Sequence, residues 1–152
     1  MAQQNGKNTG TSTLLRRLFK APDLKRFLEG NSTEMEIPLF HDYITELCHT
    51  MGQVPERVIK MASIERTYGH QLFNGTRKPS RDKVIQLAFG FELSVDEAQK
   101  LLKIAQKSLL YPKIKRDAVI LYCLNNQKSI IETQSVLETL GLTLIGGEEK
   151  NG

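Results

Sequence analysis

Arg66, Thr67 and Gln71 are side chains of the kinds that read base edges. An arginine offers two parallel N–H donors to guanine, a glutamine amide matches adenine, and a threonine brings a hydroxyl and a methyl group. The three fall within one short stretch, Glu65 to Asn74. There Ile64, Tyr68 and Leu72 claim the inner face at four-residue spacing, which turns Arg66, Thr67 and Gln71 outward. Arg77 and Lys78 follow in a basic loop, with the backbone amides near Ser80 beyond, and are suited to phosphates, which fix register without reading sequence. Arg57 and Arg81 flank this surface as further phosphate contacts. No paired carboxylates, glycine-rich phosphate loop or nucleophile with a base partner stands at an interpretable spacing, so we expect no catalytic residue and no enzyme activity. His41, Cys48 and His49 lie close in sequence but lack a second pair to complete a metal site, and no cofactor is expected.

These side chains need two short helices and a tight turn to carry them. Pro55 at a first helical position opens one helix, with Val58, Ile59 and Ala62 inward as far as Ser63. The short connection Ala62 to Glu65 permits the wide crossing angle of a helix-turn-helix. The next helix, Glu65 to Asn74, stops at Gly75, where a left-handed residue carries no Cβ strain. Ahead of the pair, Leu39, Phe40, Tyr43, Ile44, Leu47, Cys48 and Met51 make a core helix within Pro38 to Met51. Behind it, Ser80 caps a helix burying Val84, Leu87 and Ala88. Ser94 and Glu97 then form a capping box for a fifth, with Val95, Ala98, Leu101, Leu102 and Ala105 inside.

The remainder repeats the last two helices. A shift of 35 residues aligns Arg81-Asp82 with Arg116-Asp117, Val84-Ile85 with Val119-Ile120, Ser94 with Ser129, Glu97 with Glu132, Gln99 with Gln134, and Leu102 and Leu109 with Leu137 and Leu144, without a gap. The match reaches helix starts as well as helix periodicity. We expect a helical hairpin over residues 108–147, stacked on the core or serving as a dimer interface or partner groove.

At the other end, residues 1–12 are polar and are expected to be a disordered tail. Thr13 can cap a helix with Leu14, Leu15 and Leu18 on one face, and Pro22 opens a further turn with Leu24, Phe27 and Leu28. With Arg16, Arg17, Lys20, Lys25 and Arg26, residues 13–37 read as a basic arm that packs back on the domain or grips phosphates or a protein partner. Residues 146–152 are expected to be loose.

Composition sets the frame. The 152 residues suffice for one domain burying roughly 70% of its unfolded surface, and 39% hydrophobic with 25% charged residues is ordinary for a globular protein. No apolar run approaches the ~20 residues that span a bilayer, and the polar start is no secretory signal. Cys48 and Cys123 read as buried thiols of a reducing cytoplasm. The net charge of +4 is unevenly placed: residues 1–30 carry +4, 31–52 carry −4, 53–83 carry +4 and the rest sum to zero. Two basic segments around an acidic one point to a defined polar partner surface.

Val58, Ile64, Leu72, Phe73, Asn74, Gly75, Pro79 and Ser80 together resemble the lambda-repressor-like, or Xre-type, helix-turn-helix family over about residues 38–106. The tail with Tyr111 to Asp117 is similar to members carrying extra C-terminal helices. That family pattern has glutamine near position 55, alanine near 59 and glycine in the turn; this chain has Pro55, with Gln53 two residues earlier, Ile59 and Ser63. The resemblance implies an all-α, five-helix core over 38–107, with the arm before it and the repeated hairpin after it. It implies a bacterial or phage-type transcriptional regulator that binds double-stranded DNA as a homodimer. It assigns Arg66, Thr67 and Gln71 to bases, Asn74 and Lys78 to phosphates, and Arg77 to either; Gln53 joins the phosphate contacts. The alternative is a retained fold that serves as a protein-protein adaptor or antitoxin-like module.

Overall fold

A computed structural model describes residues 10–147 and shows helices and no strands among them. The chain divides into two compact units, Met1–Ile37 and Pro38–Gly152. The first holds α1 (Thr11–Lys20) and α2 (Leu24–Gly30). The second holds α3 (Phe40–Thr50), α4 (Pro55–Met61), α5 (Arg66–Asn74), α6 (Arg81–Gly90), α7 (Val95–Ile104), α8 (Lys115–Asn125) and α9 (Ile130–Thr139). None is long and apolar enough to cross a membrane.

In the first unit the helix begins earlier than Thr13 suggests. Gly10 is the extended residue before it, and the Leu14 amide reaches the Gly10 carbonyl at 3.0 Å, so Thr11 and Ser12 are helical. The rest of the expected tail, 1–9, lies outside the described residues. The α2 start belongs to Asp23, whose carboxylate accepts from the Lys25 amide; this is the ordinary work of an N-cap, one residue after Pro22. Arg17 donates to the Asn31 side chain at 3.0 Å and pairs with Glu34 at 3.6 Å, joining α1 to the segment after α2.

The second unit is built on one continuous core. Ile44 of α3, Val58 of α4, Leu72 of α5, Leu87 of α6, Leu101 of α7, Ile120 of α8 and Leu137 of α9 are all fully buried within it. Cys48 and Cys123 are buried free thiols. Helix α6 runs through the middle and is buried continuously from Val84 to Gly90. Its Gly90 allows close approach to α4, because a Cβ there would meet the Val58 carbonyl at 2.5 Å and the Ala62 methyl at 2.9 Å. The α4 and α5 helices also depend on a size exchange. Bulky Ile59 of α4 fills the space over Gly69 of α5, where any Cβ would collide with three carbons of the Ile59 side chain.

The 35-residue repeat is matched in several of its bonds. Ser94 and Ser129 head identical capping boxes with Glu97 and Glu132. Glu92 and Gln127 take φ of 60° and 57°, and Gln106 and Gly141 take 60° and 72°, at equivalent turns. The Gln99 amide clasps the Leu110 backbone at both N–H and C=O, and Gln134 does the same to Ile145. Between the copies the bonds are exchanged. Arg81 of the first pairs with Asp117 of the second at 2.9 Å, and Arg116 of the second pairs with Asp82 of the first at 3.0 Å. Copies related by simple stacking would pass this contact on to a third copy; a mutual exchange is the mark of two-fold, isologous packing. Each aspartate also anchors the chain leaving a copy: Tyr111 N–H donates to Asp117 and Gly146 N–H to Asp82, at 2.9 and 2.7 Å. Gly146 is therefore tied down rather than loose. Of the expected loose end, residues 148–152 lie outside the described residues.

Candidate nucleic-acid interface

The connection from α4 to α5 is short and fixed by its backbone. Ser63 takes φ 57°, the left-handed conformation for which glycine is the usual residue. The Ser63 and Ile64 amides close back on the Lys60 and Ile59 carbonyls. Glu65 then serves as the N-cap of α5, its two carboxylate oxygens accepting from the Thr67 and Tyr68 amides at 3.0 and 2.8 Å. Those backbone donors hold the Glu65 carboxyl below its ordinary range. At the far end Gly75 adopts φ 86° and lies against the His41 ring of α3, while the Thr45 hydroxyl donates to the Phe73 carbonyl at 3.4 Å.

Arg66, Thr67 and Gln71 of α5 and Arg77 beyond it are all exposed or half-exposed. Two of them form a unit. Arg77 donates through Nε to Gln71 Oε1 at 2.9 Å, and its guanidinium lies 4.4 Å over the Tyr68 ring. Lys83 shares that ring from 5.2 Å. Tyr68 thus packs at the core edge and also serves as a platform for two cations. The bond through Nε leaves the Arg77 terminal amino groups and the Gln71 amide NH2 as donors for a ligand.

Arg66 is held from the neighbouring helix. Its Nε donates to Glu56 of α4 at 2.8 Å, and the other Glu56 oxygen meets His70 Nε2, also at 2.8 Å. Hydrogen bonds from Arg66 and then His70 keep the Glu56 carboxyl below its usual range, and the same contact raises the Arg66 guanidinium. The bridge fixes the arginine head while offsetting its charge. Glu56 and His70 are the site residues that sequence reasoning missed. The four-residue spacing of Arg66 and His70 on one helix face was the available signal.

The expected phosphate contacts divide. Arg57 and Lys78 are exposed and Gln53 is half-buried beside the start of α4. Asn74 is exposed, but its Oδ1 accepts from both the amide and hydroxyl of Thr76, so it shapes the loop after α5. Arg81 has different work from a phosphate contact. Its guanidinium gives two hydrogen bonds to Asp117 and one each to the Ser108 and Leu109 carbonyls, which commits four of its five N–H groups to the clamp between the copies. The Ser80 hydroxyl accepts from the Lys83 amide, so one of the amides at the start of α6 is already satisfied.

Apart from this surface, a cleft of about 410 Å³ lies where the α6–α7 and α8–α9 turns meet, lined by Met61, Phe89, Leu93, Leu124 and Lys128 among others. None of the expected site residues lines it. No family model, curated protein or solved structure matches the chain.

Proposed function

We propose that the chain is a helix-turn-helix regulator that binds duplex DNA, with α4 as the supporting helix and α5 laid in the major groove. The observation that carries this reading is the Gln71–Arg77 pair. A glutamine and an arginine locked together over an aromatic ring form a preordered donor array of the kind that matches a purine edge, with less side-chain freedom to lose on binding. Arg66 and Thr67 add base contacts at the start of α5, and Arg57 and Lys78 supply phosphate contacts on either side. Steeply salt-dependent binding is expected, because each phosphate contact releases counterions.

Selection of bound fragments from random duplexes, followed by fluorescence anisotropy, tests the reading. Arg66→Ala with Gln71→Ala should erase sequence preference. Lys78→Ala should weaken every sequence alike and reduce the salt slope by about 1. Absence of duplex binding by the wild-type protein at low salt would refute it. One observation favours a second reading, a protein-protein adaptor: Glu56 and Glu65 place two carboxylates at the start of the very face that would approach phosphates. Under that reading Arg66, Glu56 and His70 bind a partner of mixed charge, and salt affects binding only weakly.

A further inference from the structure

Three polar side chains are buried among the described residues, and two of them serve their immediate surroundings. Asp117 belongs to the clamp between the copies, and the Thr133 hydroxyl bonds back to the Ser129 carbonyl at 2.8 Å. Gln86 is different. It lies in the middle of α6, 4% exposed, and its amide reaches in two directions at once. Nε2 donates to the Ala62 and Ser63 carbonyls at 3.2 and 3.3 Å, and Oε1 accepts from the Lys83 ammonium at 3.0 Å.

The first pair of bonds falls on the connection between α4 and α5. The two carbonyls belong to the peptides on either side of Ser63, the left-handed residue of the turn, and a residue other than glycine keeps that conformation only where its surroundings hold it. The remaining bond leads to the reading surface. The Lys83 ammonium lies over the Tyr68 ring, on which Arg77 also rests while it bonds Gln71. The end of the second copy packs against the same amide: a Cβ on Gly146 would stand 2.9 Å from Gln86 Oε1.

The repeat supplies an internal comparison. A shift of 35 residues carries Lys83 to Ala118 and Gln86 to Leu121, while Arg81, Asp82, Val84 and Ile85 keep their identity. The hairpin therefore folds with alanine and leucine at these positions, and the polar pair stands only in the copy that touches the α4–α5 turn and Tyr68. A buried polar network whose members are satisfied fixes one arrangement of the groups it joins.

We propose that Gln86 is a positioning residue for base recognition. Through the turn carbonyls and Lys83 it fixes where the Tyr68 ring carries the Arg77–Gln71 pair, and so sets sequence selectivity without touching DNA. This role deepens the DNA reading and rests on it; the physical link from Gln86 to Arg77 does not.

Hydrogen exchange of the Arg77 Nε–H, followed by NMR on the full chain without DNA, reads the link. It should quicken several-fold in Gln86→Leu, which installs the residue of the second copy, and in Lys83→Ala, while the Leu110 amide held by Gln99 keeps its rate. The double variant should be no worse than Gln86→Leu, because both changes break one chain of contacts. With duplexes selected by the wild type, Gln86→Leu should narrow the gap between preferred and random sequences by about tenfold, the size of one base contact, and keep its affinity for random duplex because the phosphate contacts are untouched. A structural role alone would lower Tm and leave that gap as it is. Unchanged Arg77 exchange in folded Gln86→Leu, or additive effects in the double variant, overturns the proposal; if Gln86→Leu does not fold, Lys83→Ala decides by the same signal. The two readings fail separately. Absence of duplex binding refutes DNA recognition and leaves the exchange result standing, whereas duplex binding with an unaltered sequence gap in Gln86→Leu refutes this role of Gln86 alone.

Discussion

Replacing Asp117 by alanine should be among the most damaging single changes in the second unit, and the structure supplies the reason and the size. The carboxylate side chain is 3% exposed and accepts three hydrogen bonds, two from Arg81 and one from the Tyr111 amide. Its removal leaves a guanidinium that is only 25% exposed facing a gap, and leaves the Tyr111 N–H without an acceptor. A bond to a charged group contributes about 1.5–3 kcal/mol and a stranded buried donor costs about 1–3 kcal/mol, so a loss of about 3–5 kcal/mol follows. At roughly 2–4 °C per kcal/mol for a chain of this size, 3 kcal/mol lowers Tm by roughly 6–12 °C. Asp82→Ala should cost less, because the Asp82 side chain is 16% exposed and water can partly replace it. The decisive comparison is Arg81→Leu combined with Asp117→Leu, read by urea denaturation. Removing both charges should destabilise less than Asp117→Ala alone, since the penalty lies in the stranded partner. A loss below about 1 kcal/mol in Asp117→Ala, or a double variant worse than the single, would show that the exchanged pairs are a surface ornament and would undo this account of the clamp.

Gly69→Ala should destabilise by about 1–3 kcal/mol through the collision with Ile59, and Ile59→Ala placed in the same chain should recover part of the loss in thermal melts. Glu65 contributes stability that is full above the ordinary glutamate value near ~4.3 and is lost as pH falls through its depressed folded value. In an NMR titration its carboxyl should protonate below that ordinary value, and Glu65→Ala should speed exchange of the Thr67 and Tyr68 amides several-fold. Glu56→Gln removes the charge between Arg66 and His70. Under the DNA reading it should tighten binding to all duplexes and steepen the salt slope by up to ~0.9, while loosening the placement of Arg66 and narrowing the gap between preferred and random sequences.

What the residues disclose on their own follows the range of the interactions involved. Helix starts at Ser80, Ser94 and Ser129 and the stop at Gly75 are settled by contacts within four residues, and the structure has them where the sequence places them. The repeat is legible because equal spacing preserves identity. Which arginine takes which aspartate is not, because Arg81 and Asp117 meet only after two hairpins turn toward each other. Arg81 therefore reads, wrongly for its geometry, as a phosphate contact beside Lys78. Glu65 reads as the first helical residue because glutamate is an uncommon N-cap compared with serine, threonine, aspartate or asparagine. The Glu56 bridge spans ten residues to Arg66 and fourteen to His70, so the local spacing of Arg66 and His70 puts them on one face without naming the carboxylate that joins them. Gly69 looks like a weak spot in a helix until Ile59 is seen to fill the space above it.

The mutual exchange of Arg81, Asp82, Arg116 and Asp117 has a kinetic meaning as well as a packing one. An interface of this self-complementary kind between separate chains would come apart on dilution. Here Pro112 to Ile114 tether the two halves, and a short tether holds partners at millimolar effective concentration however scarce the protein becomes. The contact is thereby removed from mass action. It re-forms after each local opening without having to find a mate, at whatever level the chain is expressed.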